Sequence, residues 1–290
     1  MTHPVVVGVD GTPQSAAAAA WAAEEAQRRD APLSLLQAWT INPTASPELI
    51  AASDPEQSAE LVLSRVRDRL LAHHPNLELT AETVADSAVT ALVSAAERAQ
   101  LLVVGTRGLG ALGGFLLGSV SSHVIARAVC PVVAVRASQV GQPTGEVVVG
   151  VKRLHASDAD ALDFAFATAA RGNLPVRVLH AWHAPPSRHG QPSAPEAAEQ
   201  GVGQAAALAD LLKPWRADHP DLPVSETLLV GNASQALIDA ATRAALVVVG
   251  RSGHRPGHGT RVGAVTHALL HHSLAPVAVV PPSTRTDGER

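Results

Sequence analysis

ALVSAAERAQLLVVG, residues 91–105, returns 145 residues later as ALIDAATRAALVVVG, residues 236–250. In both copies a stretch of helical spacing runs into a short, wholly apolar run that stops at a glycine. An apolar run without polar alternation suits a strand buried on both faces, as in a parallel sheet. The surroundings repeat as well. Val5-Val6-Val7-Gly8-Val9 is matched by Val147-Val148-Val149-Gly150-Val151, Leu35 to Trp39 (LLQAW) by Val178 to Trp182 (VLHAW), and CPVVAV from Cys130 by APVAVV from Ala275. The offsets are 142, 143, 145 and 145 residues, in constant order. Such spacing marks two copies of a whole domain, not a solenoid of short units.

Within copy one the pattern predicts strands over Val5–Val9, Leu33–Trp39, Leu77–Val84, Leu101–Gly105 and Pro131–Val135. Between them it predicts helices over Ser15–Arg29, Gln57–His74, Ala88–Ala99 and Ser119–Val129, with a loop over Pro43–Pro55. Strands alternating with helices imply an α/β fold: two tandem, doubly wound, five-stranded parallel-sheet domains with right-handed crossovers. The domains are expected over residues 1–140 and 146–282, joined by a short Gly/Pro linker, with a tail over 283–290. Ligands of such sheets bind beyond the carboxyl ends of the strands, where the strand order reverses. The chemistry is therefore expected after strands one and four.

Composition narrows the function classes. Aromatic residues are 2% of the chain, and there is no Tyr, which disfavours a base-stacking surface for single-stranded nucleic acid. The formal net charge is -4 with no run of Lys or Arg, so no duplex-binding face is expected. One cysteine, Cys130, excludes a disulfide within the chain. The fourteen histidines scatter, and no metal ligand set is expected from them. The first residues lack a signal-peptide pattern, and no apolar run is long enough to span a membrane. A cytoplasmic protein that binds neither membrane nor nucleic acid is expected.

After strand four comes GTRGLGALGGFLLGSV, residues 105–120. It holds Gly105-x2-Gly108, then nine residues, then Gly118-Ser119. Glycine lets the backbone approach an anion closely, and successive amides form a cradle for phosphate oxygens. Gly118-Ser119 opens a helix whose free N–H groups favour negative charge. Ser119 is expected as its N-cap, with a hydroxyl able to donate to phosphate, and Arg107 supplies positive charge. The dinucleotide-like Gly108-x-Gly110-x2-Gly113 follows the fourth strand and not the first, so it does not read as a dinucleotide fingerprint. No Walker A lysine is present, nor any nucleophile–base pair.

The combination of Gly8-Val9-Asp10-Gly11-Thr12, a small Ala38 ending strand two, the Gly-x2-Gly-x9-Gly-Ser loop and a Cys-Pro-Val strand resembles the ATP-binding branch of the universal stress protein family. The resemblance covers both copies. It implies a Rossmann-like, adenine nucleotide alpha-hydrolase-like fold and ATP, with Mg, as ligand. It implies that Asp10 meets the ribose and Ala38 packs near the adenine. It implies that Gly105, Gly108, Gly118 and Ser119 hold the phosphates, with Val104 and Val120 beside them and Gly8 below Asp10. It implies a nucleotide-dependent regulator of stress response or dormancy rather than an enzyme, with a protein partner. It also implies that the last strands pair the two copies within one chain as a pseudo-dimer, with further homodimerisation. A slow ATPase and an interaction scaffold without nucleotide stand as alternatives.

Copy two keeps the spacing and changes the chemistry. Gly150, Gly250, Gly253, Gly263, Ala264 and Val265 occupy the corresponding positions, but Ala264 lacks the hydroxyl of Ser119. Lys152 and Arg153 replace Asp10 and Gly11, and a lysine accepts no hydrogen bond from a ribose. The loop GRSGHRPGHGTRVGAV, residues 250–265, is basic and suits a polyphosphate or another anion. Weak or absent ATP binding is expected there. Asp86, after strand three, stands where copy two has Gly231.

Overall fold

Val5, Val7, Leu101, Leu102 and Val103 are completely buried, and the strands that carry them are neighbours. The structure, a computed structural model, describes residues 2–40, 54–106, 118–136, 145–182, 194–251 and 262–283. It divides into two compact units, one built on Met1–Gln142 and one on Pro143–His254 with Gly263–Arg290.

The first unit runs β1 (Val5–Gly8), α1 (Pro13–Arg28), β2 (Leu33–Trp39), α2 (Pro55–His73), β3 (Leu79–Ala85), α3 (Ala88–Ala96), β4 (Leu101–Gly105), α4 (Ser119–Arg127) and β5 (Val132–Val135). Its strands are all parallel, in the order β3-β2-β1-β4-β5. The order reverses between β1 and β4, whose register pairs Val5 with Leu101 and Val7 with Val103. The helices form two layers. A Cβ on Gly8 would meet Leu92 of α3, whereas one on Gly105 would meet the backbone of α1.

The second unit repeats the plan: β6 (Glu146–Val151), a single 3-10 turn (Ala156–Asp158), α5 (Ala159–Gly172), β7 (Val176–Trp182), α6 (Ala194–Asp218), β8 (Val224–Val230), α7 (Ala233–Ala240), β9 (Ala244–Gly250), α8 (Ala264–His272) and β10 (Val277–Val280). Its order is β8-β7-β6-β9-β10, again all parallel. The tandem α/β architecture read from the sequence is the one observed. No helix among the described residues is long and apolar enough to cross a membrane.

Element ends differ from the sequence reading for local reasons. The first helix begins at Pro13 and not Ser15, because Thr12 caps it and a proline at the first helical position needs no N–H acceptor. The last strand of the first unit begins at Val132, since Pro131 has no N–H to give. Its carbonyl still accepts from the Leu102 amide at 3.0 Å.

Candidate functional site

The turn after β1 is organised around one carboxylate. Asp10 Oδ1 accepts from the Thr12 amide at 3.0 Å and from the Thr12 hydroxyl at 2.6 Å. The Asp10 amide donates to Ser15 Oγ at 3.2 Å, and that hydroxyl donates to the Thr12 carbonyl at 3.0 Å. Thr12 Oγ1 in turn accepts from the Ser15 amide and caps α1. Gly11 turns with φ +79°, a conformation that suits glycine, and a Cβ there would lie 3.3 Å from Val62 of α2. Asp10 is exposed, and among the described residues nothing donates to its Oδ2. Partial burial pushes its carboxyl up, but hydrogen bonds from Thr12 and Ser15 outweigh it and hold the group below its ordinary value. The result is an oriented, ionised acceptor at the reversal point of the sheet.

β4 ends directly on this turn. A Cβ on Gly105 would lie 2.8 Å from the carbonyl carbon and oxygen of Gln14 and 3.0 Å from the Ser15 amide nitrogen, so only glycine fits without moving backbone. The Gly105 carbonyl accepts from Ser121 Oγ at 3.0 Å, which ties the first turn of α4 to the end of β4. A continuous chain of contacts therefore links Asp10, Ser15, Gly105, Ser121 and the start of α4. Sequence reasoning did not single out Ser121; its signal was a buried hydroxyl two residues after the Gly-Ser pair, matched by the buried Thr266 in the second unit.

The expectation that Ser119 caps α4 is corrected. Gly118, at φ −61° and ψ 149°, takes the cap position, and no side chain caps the helix. The Gly118 carbonyl accepts from the Ser122 amide and hydroxyl, both at 3.0 Å, so Ser119 becomes the first helical residue. Its exposed hydroxyl has no partner among the described residues. The first amides of α4 precede the first intrahelical bond, have no acceptor among the described residues, and suit an anion.

Of the other expected residues, Gly8 ends β1 and packs under Leu92, Val104 is buried in β4, and Val120 is half-buried in the first turn of α4. Ala38 is half-buried in β2, whose Leu36 carbonyl accepts from the Val9 amide at 2.9 Å, so Ala38 and Asp10 lie at one height. Arg107, Gly108 and Gly253 lie outside the described residues. Asp86 caps its own turn, its Oδ1 accepting from the Ser87 amide.

In the second unit the glycines keep their places. Gly150 packs against Leu237 as Gly8 does against Leu92, Gly263 caps α8 without a side-chain bond, and Ala264 and Val265 open that helix. Gly250 differs from Gly105: the nearest atom to an added Cβ is the Ala161 Cβ at 4.0 Å. The Lys152 and Arg153 amides donate to Asp158 Oδ1 and Oδ2 at 3.2 and 2.9 Å.

The profile of the universal stress protein family matches the chain twice, over residues 1–136 and 144–281. The chain belongs to the universal stress protein family. A universal stress protein of Mycobacterium tuberculosis is 32% identical to it over 289 residues, covering 96% of each chain. One of Mycolicibacterium smegmatis is 31% identical over 293 residues, covering 97% of each. Among solved structures, a universal stress protein from Archaeoglobus fulgidus superposes with a TM-score of 0.71 at 16% identity, over 98% of this chain and 100% of that one, which bears on the fold alone. This universal stress protein thus carries two copies of the family's domain whose crevices differ in charge.

Proposed function

We propose that this universal stress protein binds ATP in its first unit and acts as a nucleotide-dependent regulator. The observation that carries the reading is the Asp10 carboxylate, ionised and fixed through one oxygen by Thr12, with the other oxygen available to ribose hydroxyls. The rest of the crevice supports it. Ala38 leaves room for a base at the height of Asp10, the uncapped start of α4 suits the phosphates, and the Ser119 hydroxyl oxygen suits their Mg counterion. Binding is favoured over turnover because a carboxylate held below its ordinary pKa is a weak general base.

Denaturing the freshly purified chain and identifying released small molecules by mass spectrometry, followed by ATP titration calorimetry, tests the reading. Adenine nucleotide should be released. Asp10→Ala should weaken ATP about ten-fold or more, because hydrogen bonds to charged groups contribute roughly 1.5–3 kcal/mol. A chain that neither carries nor binds adenine nucleotide would sink the proposal.

A further inference from the structure

We propose that the crevice of the second unit is a site for a polyphosphate anion recognised without a sugar, with Lys152 and Arg153 as its cationic contacts. In the first unit the turn after the first strand presents one carboxylate. In the second, Lys152 and Arg153 stand at that place, both exposed and neither with an ion partner among the described residues. The unit does keep an acid, but in another position. Asp158, 9% exposed, occupies the place of Ser15, and both its oxygens are taken by the amides of Lys152 and Arg153. It fixes the turn with both oxygens, and at 9% exposure it offers little to ribose hydroxyls. Lys152 and Arg153 thus stand where the first unit has a lone anion, and the two carboxylates nearby are both engaged by main-chain amides, Asp158 as described and Asp160, in the first turn of α5, by Ser283 at 2.8 Å.

Three further features belong to the same edge. Val151 pairs with His180, which is 4% exposed and whose Nδ1 donates to the Val151 carbonyl at 3.0 Å. Its Nε2 has no partner among the described residues. Gly150 pairs with Val249, which brings Gly250 level with Val151 and sets the uncapped start of α8 at the same end of the sheet. The Cβ position closed by α1 backbone at Gly105 has no atom nearer than the Ala161 Cβ, at 4.0 Å, at Gly250. Cations and main-chain amides bind phosphate oxygens, and Lys and Arg offer no acceptor to a sugar hydroxyl. The ligand class that follows is a free chain of two or three phosphates, with no sugar attached.

The test uses the full chain carrying Ser119→Glu. A carboxylate at the first position of α4 suits the helix dipole while repelling phosphate from the first unit. Titration calorimetry with sodium tripolyphosphate should then show one anion bound per chain. Lys152→Asp together with Arg153→Gly, which rebuilds the turn of the first unit from exposed positions, should weaken it by about ten-fold or more. Lys213→Asp, an exposed reversal towards the far end of α6, should change it by less than about two-fold. No binding in the Ser119→Glu chain, indifference to the double substitution, or equal loss with Lys213→Asp would each overturn the proposal. ATP titration of Asp10→Ala reports on the first unit alone, so failure of the ATP reading would be seen separately.

Discussion

Gly105 and Gly250 occupy one position in two copies of a fold, yet they answer to different neighbours. At Gly105 a methyl group would enter the backbone of Gln14 at 2.8 Å, and that backbone is the first turn of α1, fastened by Thr12 and Ser15. At Gly250 the same methyl would rest 4.0 Å from a side chain. Gly105→Ala should therefore cost about 1–3 kcal/mol as overpacking. Gly250→Ala should stay within about 0.5 kcal/mol. Calorimetric unfolding of the two variants compares them directly, and equal losses would contradict the packing described. Asp10 and Lys152 make the complementary point for charge: they share a place at the end of the first strand of each unit, and between them the local sign changes.

At the scale of the element, α1 shows how a helix is placed to serve a site. Thr12 caps it, Pro13 opens it, and its alanine run packs on β1 and β4 with Ala18, Ala19, Ala22 and Ala23 completely buried. Near its end the buried Glu25 accepts from Arg28 Nε at 2.9 Å and from Arg29 Nε at 2.7 Å. The Arg29 side chain, which also donates to Gln100 Oε1 at 3.4 Å, is only 6% exposed, so removing Glu25 would take a counter-charge from a cation with little access to water. Glu25→Ala should lower stability by about 3 kcal/mol, the scale for breaking a buried ion pair from one side. Thermal unfolding should show this loss without weakening of ATP binding at 25 °C, because the pair lies at the opposite end of α1 from Thr12. The glycine-capped helices α4 and α8 follow a different logic. Neither spends a side chain on its first amides, which leaves those amides to a ligand.

At the scale of the whole molecule, two units of one topology carry crevices of opposite character. On the ATP reading only the first has a carboxylate free for ribose. ATP titration should thus saturate near one nucleotide per chain. A value near two would show that Lys152 and Asp158 do not exclude the sugar. The repeat was legible because Val5–Val9 and Val147–Val151 are apolar on both sides, as strands buried in a parallel sheet must be, and because the spacing between matched segments hardly changes. Asp10 and Gly105 were legible from the same alternation, since it places them at the carboxyl ends of β1 and β4. Ser121 and Asp158 were not, because their importance rests on which backbone group each one meets.

The sequence by itself determined the tandem α/β plan, the family, and the replacement of Asp10 by Lys152, since periodicity, spacing and residue type are properties of the chain. Only the tertiary structure decided that Gly118 and not Ser119 caps α4, that Gly105 must be glycine, and that Asp158 is consumed by two amides. Those outcomes depend on where folded strands and helices bring main-chain groups to within about 3 Å of a side chain, and hydrogen bonding and steric exclusion act only at that range.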